Sequence, residues 1–228
     1  MPNLNEVNRE NGILNEERNI LLEMAQEISG DKTIVAACAY GSRVAGYGRS
    51  DSDYDIILVL DDYKSKVKYV YVKDRLEVSA LIVRARDLES DTDLASLGEF
   101  VIGRFLNTYE PLIGGKYLLE LEKRYKKRII LETLNEIAST YGDFKQEISI
   151  PVEYFLFEKL KKRASLYPPA LYSYSNTYSK ECRANNLEAS CLSFKSALQE
   201  LDDEGKISYK NDLVTISDIF SGGRIKSK

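Results

Sequence analysis

Residues 56–60 read Ile-Ile-Leu-Val-Leu, an apolar run with no polar break, entered through Tyr54 and Asp55. A strand that faces water on one side alternates apolar and polar residues. A continuous run belongs to a strand covered on both faces. The chain must therefore supply one layer above this strand and another below it. Thr33–Tyr40 (TIVAACAY) is a second short, apolar, β-prone run and reads as a buried strand. Val67–Lys73 alternates, and Arg75–Val83 follows the rough turn signal Lys73-Asp74-Arg75, so two further strands are expected. Residues 14–29 place Leu14, Ile20, Leu21, Met24 and Ile28 near one helical stripe, with Gly30 as the stop. A further helix is expected over 93–108. These elements predict an α/β module in residues 1–115, with a small mixed sheet covered by helices and Gly114-Gly115 as its closing punctuation.

The texture then changes. Residues 116–140 are charged and helical in character, and Pro151–Arg163 carries Val152, Phe155, Leu156 and Leu160 on one stripe. Tyr167–Tyr178, rich in Pro and Tyr, reads as a loop. Leu187–Asp203 repeats apolar residues at spacings of four and three (Leu187, Cys191, Phe194, Leu198, Leu201) and stops near Gly205. Lys206–Tyr209 and Leu213–Ser217 then form two short β-like runs joined by Lys210-Asn211-Asp212. A mostly helical C-terminal domain over 116–228 follows, whose end, about 150–220, resembles a winged helix. Its presumed recognition helix carries Glu188, Glu200, Asp202, Asp203 and Glu204, acids that repel nucleic-acid phosphate, so a substrate-gripping or dimer-forming role is at least as good as DNA reading. The basic run Lys123, Arg124, Lys126, Lys127, Arg128 has Glu120, Glu122 and Glu132 nearby as ion-pair partners and reads first as a solvated helix face. The tyrosines of 167–178 either stack on bases or pack on their own domain.

Composition narrows the chemistry. The 228 residues contain no histidine, which excludes Ser-His-Asp and Cys-His catalysis and any zinc site that needs imidazole. General bases are left to carboxylate, Lys, Tyr or Cys, and a metal site to oxygen ligands, which favours Mg²⁺, Mn²⁺ or Ca²⁺. Cys38, Cys182 and Cys191 are odd in number and widely spaced, so they read as buried idle thiols. The net charge of −4 is uneven: residues 1–115 carry 13 basic and 20 acidic side chains, residues 116–228 carry 19 and 16. That asymmetry agrees with two modules. No apolar run nears the ~20 residues that span a bilayer. The polar N-terminus does not read as a secretory signal, so a cytoplasmic protein without membrane contact is expected.

The segment that carries chemistry is Gly41-Ser42-Arg43-Val44-Ala45-Gly46-Tyr47-Gly48-Arg49-Ser50-Asp51-Ser52-Asp53-Tyr54-Asp55. Side chains alternate along a strand, so Asp53 and Asp55 share one side and Tyr54 takes the other. Two adjacent carboxylates at the edge of an apolar core repel each other and favour a shared cation. Gly41 lets the backbone turn close to a ligand, and Ser42 offers a hydroxyl and a backbone N–H; if a helix starts there, its free N–H groups favour an anion. Arg43 or Arg49 is positioned to neutralise part of a triphosphate. Glu77 shares parity with Ser79 and Leu81, and joins the cluster if its strand neighbours the Asp53–Leu60 strand. Alone, Asp-x-Asp also marks turns and solvated strand ends; the joint spacing is what points to chemistry.

This stretch resembles the DNA polymerase β-like nucleotidyltransferase superfamily, and within it the minimal nucleotidyltransferase branch: Gly41-Ser42-Arg43, Gly46, and Ser52-Asp53-Tyr54-Asp55 stand where that signature has Gly-Ser-Arg, a later Gly, and Ser-Asp-x-Asp. Ala45 departs from the Arg frequent in that branch, and Glu77 replaces the more usual third Asp. The resemblance covers residues 30–85. It implies Gly41, Ser42, Arg43 and Ser52 at the nucleotide, and Asp53, Asp55 and Glu77 as catalytic, metal-binding acids for two Mg²⁺ (or Mn²⁺) ions. An NTP would give its nucleoside monophosphate to an acceptor hydroxyl and release pyrophosphate. The acceptor, whether nucleic acid, protein or small molecule, is left open, as is a homo-oligomer. The competing expectations are a weak or inactive nucleotide-binding protein, or a nucleic-acid-binding protein led by the C-terminal domain.

Overall fold

The computed structural model describes residues 13–217; most of the polar N-terminal stretch and the end of the C-terminal domain lie outside it. Helix α1 (Asn15–Ser29) turns Leu21, Met24 and Ala25 inward and ends at Gly30, whose φ of 62° suits glycine. Strands β1 (Ile34–Tyr40), β2 (Tyr54–Leu60), β3 (Val67–Lys73), β4 (Glu77–Arg84) and β5 (Glu110–Ile113) form one sheet in the order β3-β4-β2-β1-β5. β2 pairs parallel with β4, and the other pairings are antiparallel, so the sheet is mixed.

β2 lies at the centre, as its apolar run requires. Ile56, Leu58 and Leu60 join Leu21 and Met24 of α1 in one cluster, while Ile57 and Val59 face the other side. There they meet α3 (Ala85–Leu94) and the 27-residue α4 (Gly115–Tyr141). That second cluster continues without a break through α4 into α5 (Val152–Leu166), α7 (Arg183–Asp203) and the closing hairpin. The hairpin, β7 (Ile207–Lys210) and β8 (Leu213–Ile216), pairs with the two-residue β6 (Ile150–Pro151) in the order β6-β8-β7. Residues 116–217 are thus mostly helical with a small terminal sheet.

Three local expectations change. A helix over 93–108 is not what forms: α3 starts earlier and ends at Leu94, capped by Ala95, and a 3₁₀ turn follows at Ile102–Leu106. The cause is Asp91, whose carboxylate accepts the backbone N–H groups of Leu97, Glu99 and Ile102 at 2.8, 2.9 and 3.3 Å. A side chain that takes these donors competes with the helix for them. The Tyr167–Tyr178 stretch is not a loop but contains α6 (Ala170–Thr177). Pro168 and Pro169 precede its first turn, where a missing N–H leaves no hydrogen bond unmade. β5 carries Pro111 and was not visible as a strand in the sequence; it sits at the sheet edge, where proline is tolerated.

The basic run on α4 is tied within the protein. Lys123 and Lys127 pair with Glu200, Lys127 also with Glu204 at 2.8 Å, Arg124 with Asp93, and Arg128 with Glu99 at 2.9 Å and Glu132 at 3.3 Å. Lys126 is fully buried, held by Glu122 at 2.6 Å and the Ser190 carbonyl at 2.7 Å. All three cysteines are free and buried.

Candidate active site

Strand register brings the acids together. Asp55 lies opposite Tyr40 of β1 and opposite Ser79 of β4, and Ser79 in turn faces Tyr71 of β3. Paired residues of neighbouring strands share a face, so Tyr40, Asp55, Ser79 and Tyr71 form a row across one side of the sheet. Asp53, two residues before Asp55, points to the same side, and the Ser79 hydroxyl donates to its Oδ2. Burial pushes the Asp55 carboxyl up to about 6; the Asp53 charge adds to this, and Arg104 opposes it. Burial also raises the Tyr40 hydroxyl, again against Arg104.

Gly41 ends β1 with a φ of 82° and opens a single helical turn, α2 (Ser42–Ala45). Its Cα sits against the Asp55 carboxylate, so closely that a β-carbon would overlap it. The Ser42 carbonyl accepts Tyr47 N–H at 3.1 Å and Gly48 N–H at 2.9 Å, which folds the loop back on itself. Arg43 braces that loop: its guanidinium donates to the Ser52 carbonyl at 2.7 and 3.0 Å and to the Ser50 carbonyl at 3.1 Å, and stacks over the Tyr54 ring at 4.7 Å. Ser52 Oγ accepts the Arg49 N–H at 2.9 Å, and Arg49 pairs with Asp51 at 3.3 Å.

Glu77 has the expected parity but other partners. It pairs with Lys73 and accepts the Tyr71 hydroxyl at 2.8 Å; Lys73 first, then Tyr71, hold its carboxyl below the usual range. Among the described residues no three acids, cysteines or histidines gather as a metal-binding group. The oxygen pair Asp53 and Asp55 nevertheless fits a divalent cation: both carboxylates lie on one side of the sheet, and after burial the Asp53 charge is what most raises the Asp55 carboxyl, a repulsion that a shared cation relieves.

Beside this pair lies a cavity of about 430 Å³ lined by Gly41, Ser42, Asp55 and Arg104 and, from α6, by Tyr172 and Tyr174. Its volume falls within the range of small-molecule sites. Tyr47 Oη bonds Ser173 Oγ at 3.1 Å, and Asn186 of α7 donates to the carbonyls of Ala45 at 2.9 Å and Thr177 at 2.7 Å, so the Gly-Ser loop and α6 are fastened to each other. Arg104 is the residue that sequence reasoning missed. It sits in a segment read there as plain helix, with no motif to mark it.

Residues 23–98 match the family model described as Polymerase beta, Nucleotidyltransferase. This part of the chain is a polymerase β-type nucleotidyltransferase domain. The nucleotidyltransferase match takes in β1, the Gly-Ser loop, Asp53, Asp55 and β4, and stops before Arg104 and α6. A solved structure, a nucleotidyltransferase-like protein from Exiguobacterium sibiricum 255-15, is similar at 14% identity over 81% of this chain and 73% of that one, with a TM-score of 0.35. Comparison with curated proteins found no match. Among the described residues no helix is long and apolar enough to cross a membrane.

Proposed function

We propose that the chain transfers a nucleoside monophosphate from an NTP to an acceptor hydroxyl. The observation that carries this reading is the Asp53–Asp55 pair on one sheet face, with Asp55 lining a cavity that Gly41 and Ser42 also line. In the proposed division of labour, residues 1–115 hold the reacting groups. Residues 116–228 wall the cleft through α6 and leave the acceptor its entrance.

Asp53 and Asp55 would hold Mg²⁺ or Mn²⁺, which when bound neutralises triphosphate charge and favours loss of the acceptor proton. The acceptor oxygen bonds to the α-phosphorus, the bond from that phosphorus to the oxygen bridging to the β-phosphate breaks, and pyrophosphate departs. Ser79 keeps Asp53 oriented by its hydrogen bond. We assign the acceptor proton to Glu77. It shares a sheet face with Ser79 and Asp55, and takes the proton once it leaves Lys73 and Tyr71, whose hydrogen bonds hold its carboxyl below the usual range. Ser42 and the backbone at Gly41 would face the triphosphate, while Arg43 and Ser52 keep the loop in shape. Catalysis of this kind is mostly positioning and charge neutralisation and needs no histidine.

Incubation with each α-labelled NTP, Mg²⁺ and cell extract tests the reading, and the labelled species names the acceptor class. Asp53→Asn and Asp55→Asn should abolish labelling while the protein stays folded; undiminished labelling by both variants would remove the assignment. One observation favours a second reading, a nucleotide-binding protein with little turnover: Glu77 is engaged by Lys73 and Tyr71 instead of standing with the other acids. Tight NTP binding with no pyrophosphate release from any NTP would select it.

A further inference from the structure

The arginines that the sequence places next to the triphosphate do not line the cavity. Arg43 is committed to the carbonyls of Ser50 and Ser52, and Arg49 to Asp51. Ala45, which does line it, brings no charge. Two other arginines reach it from outside the Gly-Ser loop. Arg163 of α5 already donates to the Glu99 carbonyl at 2.9 Å and to Tyr174 Oη at 3.2 Å. Arg104 has no such partner among the described residues. Its guanidinium lies over the Tyr40 ring at 5.1 Å and the Phe100 ring at 5.2 Å, and its Nε is buried without a hydrogen bond. Arg128 also has an unbonded Nε, but its terminal nitrogens are in ion pairs with Glu99 and Glu132. Those of Arg104 are in none among the described residues.

A guanidinium seated between two rings keeps its orientation, and its fork of N–H donors matches the oxygens of a phosphate. Arg104 shares its cavity with Gly41, Ser42 and Asp55. We propose that Arg104 is the polyphosphate-binding residue of this cleft, holding the part of the nucleotide that leaves as pyrophosphate. The cavity then has complementary halves. Asp53 and Asp55 attract the cation of a metal–triphosphate, and Arg104 attracts the anion. The segment that presents Arg104 is fixed from behind, by the three backbone N–H groups on Asp91 and by Glu99, which accepts Lys159 and Arg128 at 2.8 and 2.9 Å. The inference rests on the transfer reading for the name of the ligand, but its test does not require turnover.

Calorimetric titration with Mg²⁺-pyrophosphate and Mg²⁺-tripolyphosphate measures binding directly. The wild-type protein should bind both, Arg104→Gln should weaken them at least about tenfold, and Arg104→Lys should recover part of the loss, as expected where a charge-assisted contact is exchanged for a point charge. Because Arg104 packs between rings, a second measurement uses the unaltered protein: saturating pyrophosphate should shield Arg104 from phenylglyoxal, as read by peptide mass spectrometry. Wild-type binding that Arg104→Gln leaves unchanged, absence of polyphosphate binding by the wild type, or Arg104 modified at the same rate with and without pyrophosphate would each overturn the proposal. Polyphosphate binding through Arg104 without any transfer to an acceptor would instead keep Arg104 and overturn the enzymatic reading.

Discussion

The carboxylate of Asp55 packs against the bare α-carbon of Gly41, so the bend that leaves β1 and the acid that opens β2 are one steric unit. Gly41→Ala meets two obstacles at once: a φ of 82° that a β-carbon resists, and overlap with Asp55. The variant should lose about 1–3 kcal/mol in urea unfolding. Transfer should fall by about 100-fold or more, because ~1 Å of displacement at a reacting group has that scale of effect. A Gly41→Ala protein with wild-type labelling would show that the contact is incidental.

Paired acids predict metal-linked stability. Mg²⁺ or Mn²⁺ should raise the Tm of the wild-type protein, by the equivalent of about 2.7 kcal/mol at one hundred times Kd. Asp53→Asn and Asp55→Asn should each abolish most of the rise. Differential scanning fluorimetry with and without EDTA measures it, and an equal rise in all three proteins would place the cation elsewhere.

The Asp55 carboxyl, raised to about 6, sets a pH dependence. The folded state holds this proton more tightly than the unfolded chain does. The metal-free protein therefore loses stability as pH rises from about 4 through 6, since the folded form must then ionise a buried acid beside Asp53. Asp55→Asn should be more stable than wild type at pH 7.5 without metal, and the gap should close near pH 4. Cation affinity should have the opposite trend, rising with pH up to about 6, because only the ionised form binds. Tm profiles and Mn²⁺ titrations from pH 4 to 8 test both signs.

Glu77→Gln separates a reacting acid from an edge ion pair. Loss of a general base costs about 100-fold or more in rate, whereas loss of an exposed, solvent-screened pair with Lys73 should leave stability nearly unchanged. A large fall in kcat with an unchanged Tm is the expected outcome. Full activity would return Glu77 to the role of a partner for Lys73 and Tyr71.

Glu99 is buried where Lys159, Arg128 and Tyr125 converge; burial pushes its carboxyl up, but these three outweigh burial and hold it below the usual range. Its contribution to stability is present above a pH of about 4.5 and fades as acid protonates it. Glu99→Gln leaves cations without their partner and should cost about 3 kcal/mol in urea unfolding at pH 7. It should also weaken polyphosphate binding modestly through the segment that carries Arg104. A neutral variant would show that the network relaxes freely.

Local pattern made much of the catalytic module legible. Five consecutive apolar residues required a central strand, and β2 sits between β1 and β4 with both faces covered. Where the sequence misled, a single side chain or an unrecognised cap was responsible. Asp91 drew three backbone donors away from an expected helix, and the proline pair before α6 starts a helix that resembled a loop. Arg43 looked like a phosphate ligand by proximity along the chain, yet the loop it belongs to bends so that its own carbonyls claim the guanidinium.

The sequence alone determined that Asp53 and Asp55 share a side and that a glycine bend precedes them, because alternation along a strand and the freedom of a residue without a β-carbon are properties of neighbouring atoms. Only the tertiary structure decided what surrounds them: Ser79 on Asp53 through the parallel pairing of β4, Lys73 and Tyr71 on Glu77, α6 as a lining element, and Arg104 as the cation facing the cavity. Those neighbours come from distant stretches of chain. Which one fills a given place is set by how whole layers pack, and no local spacing encodes that.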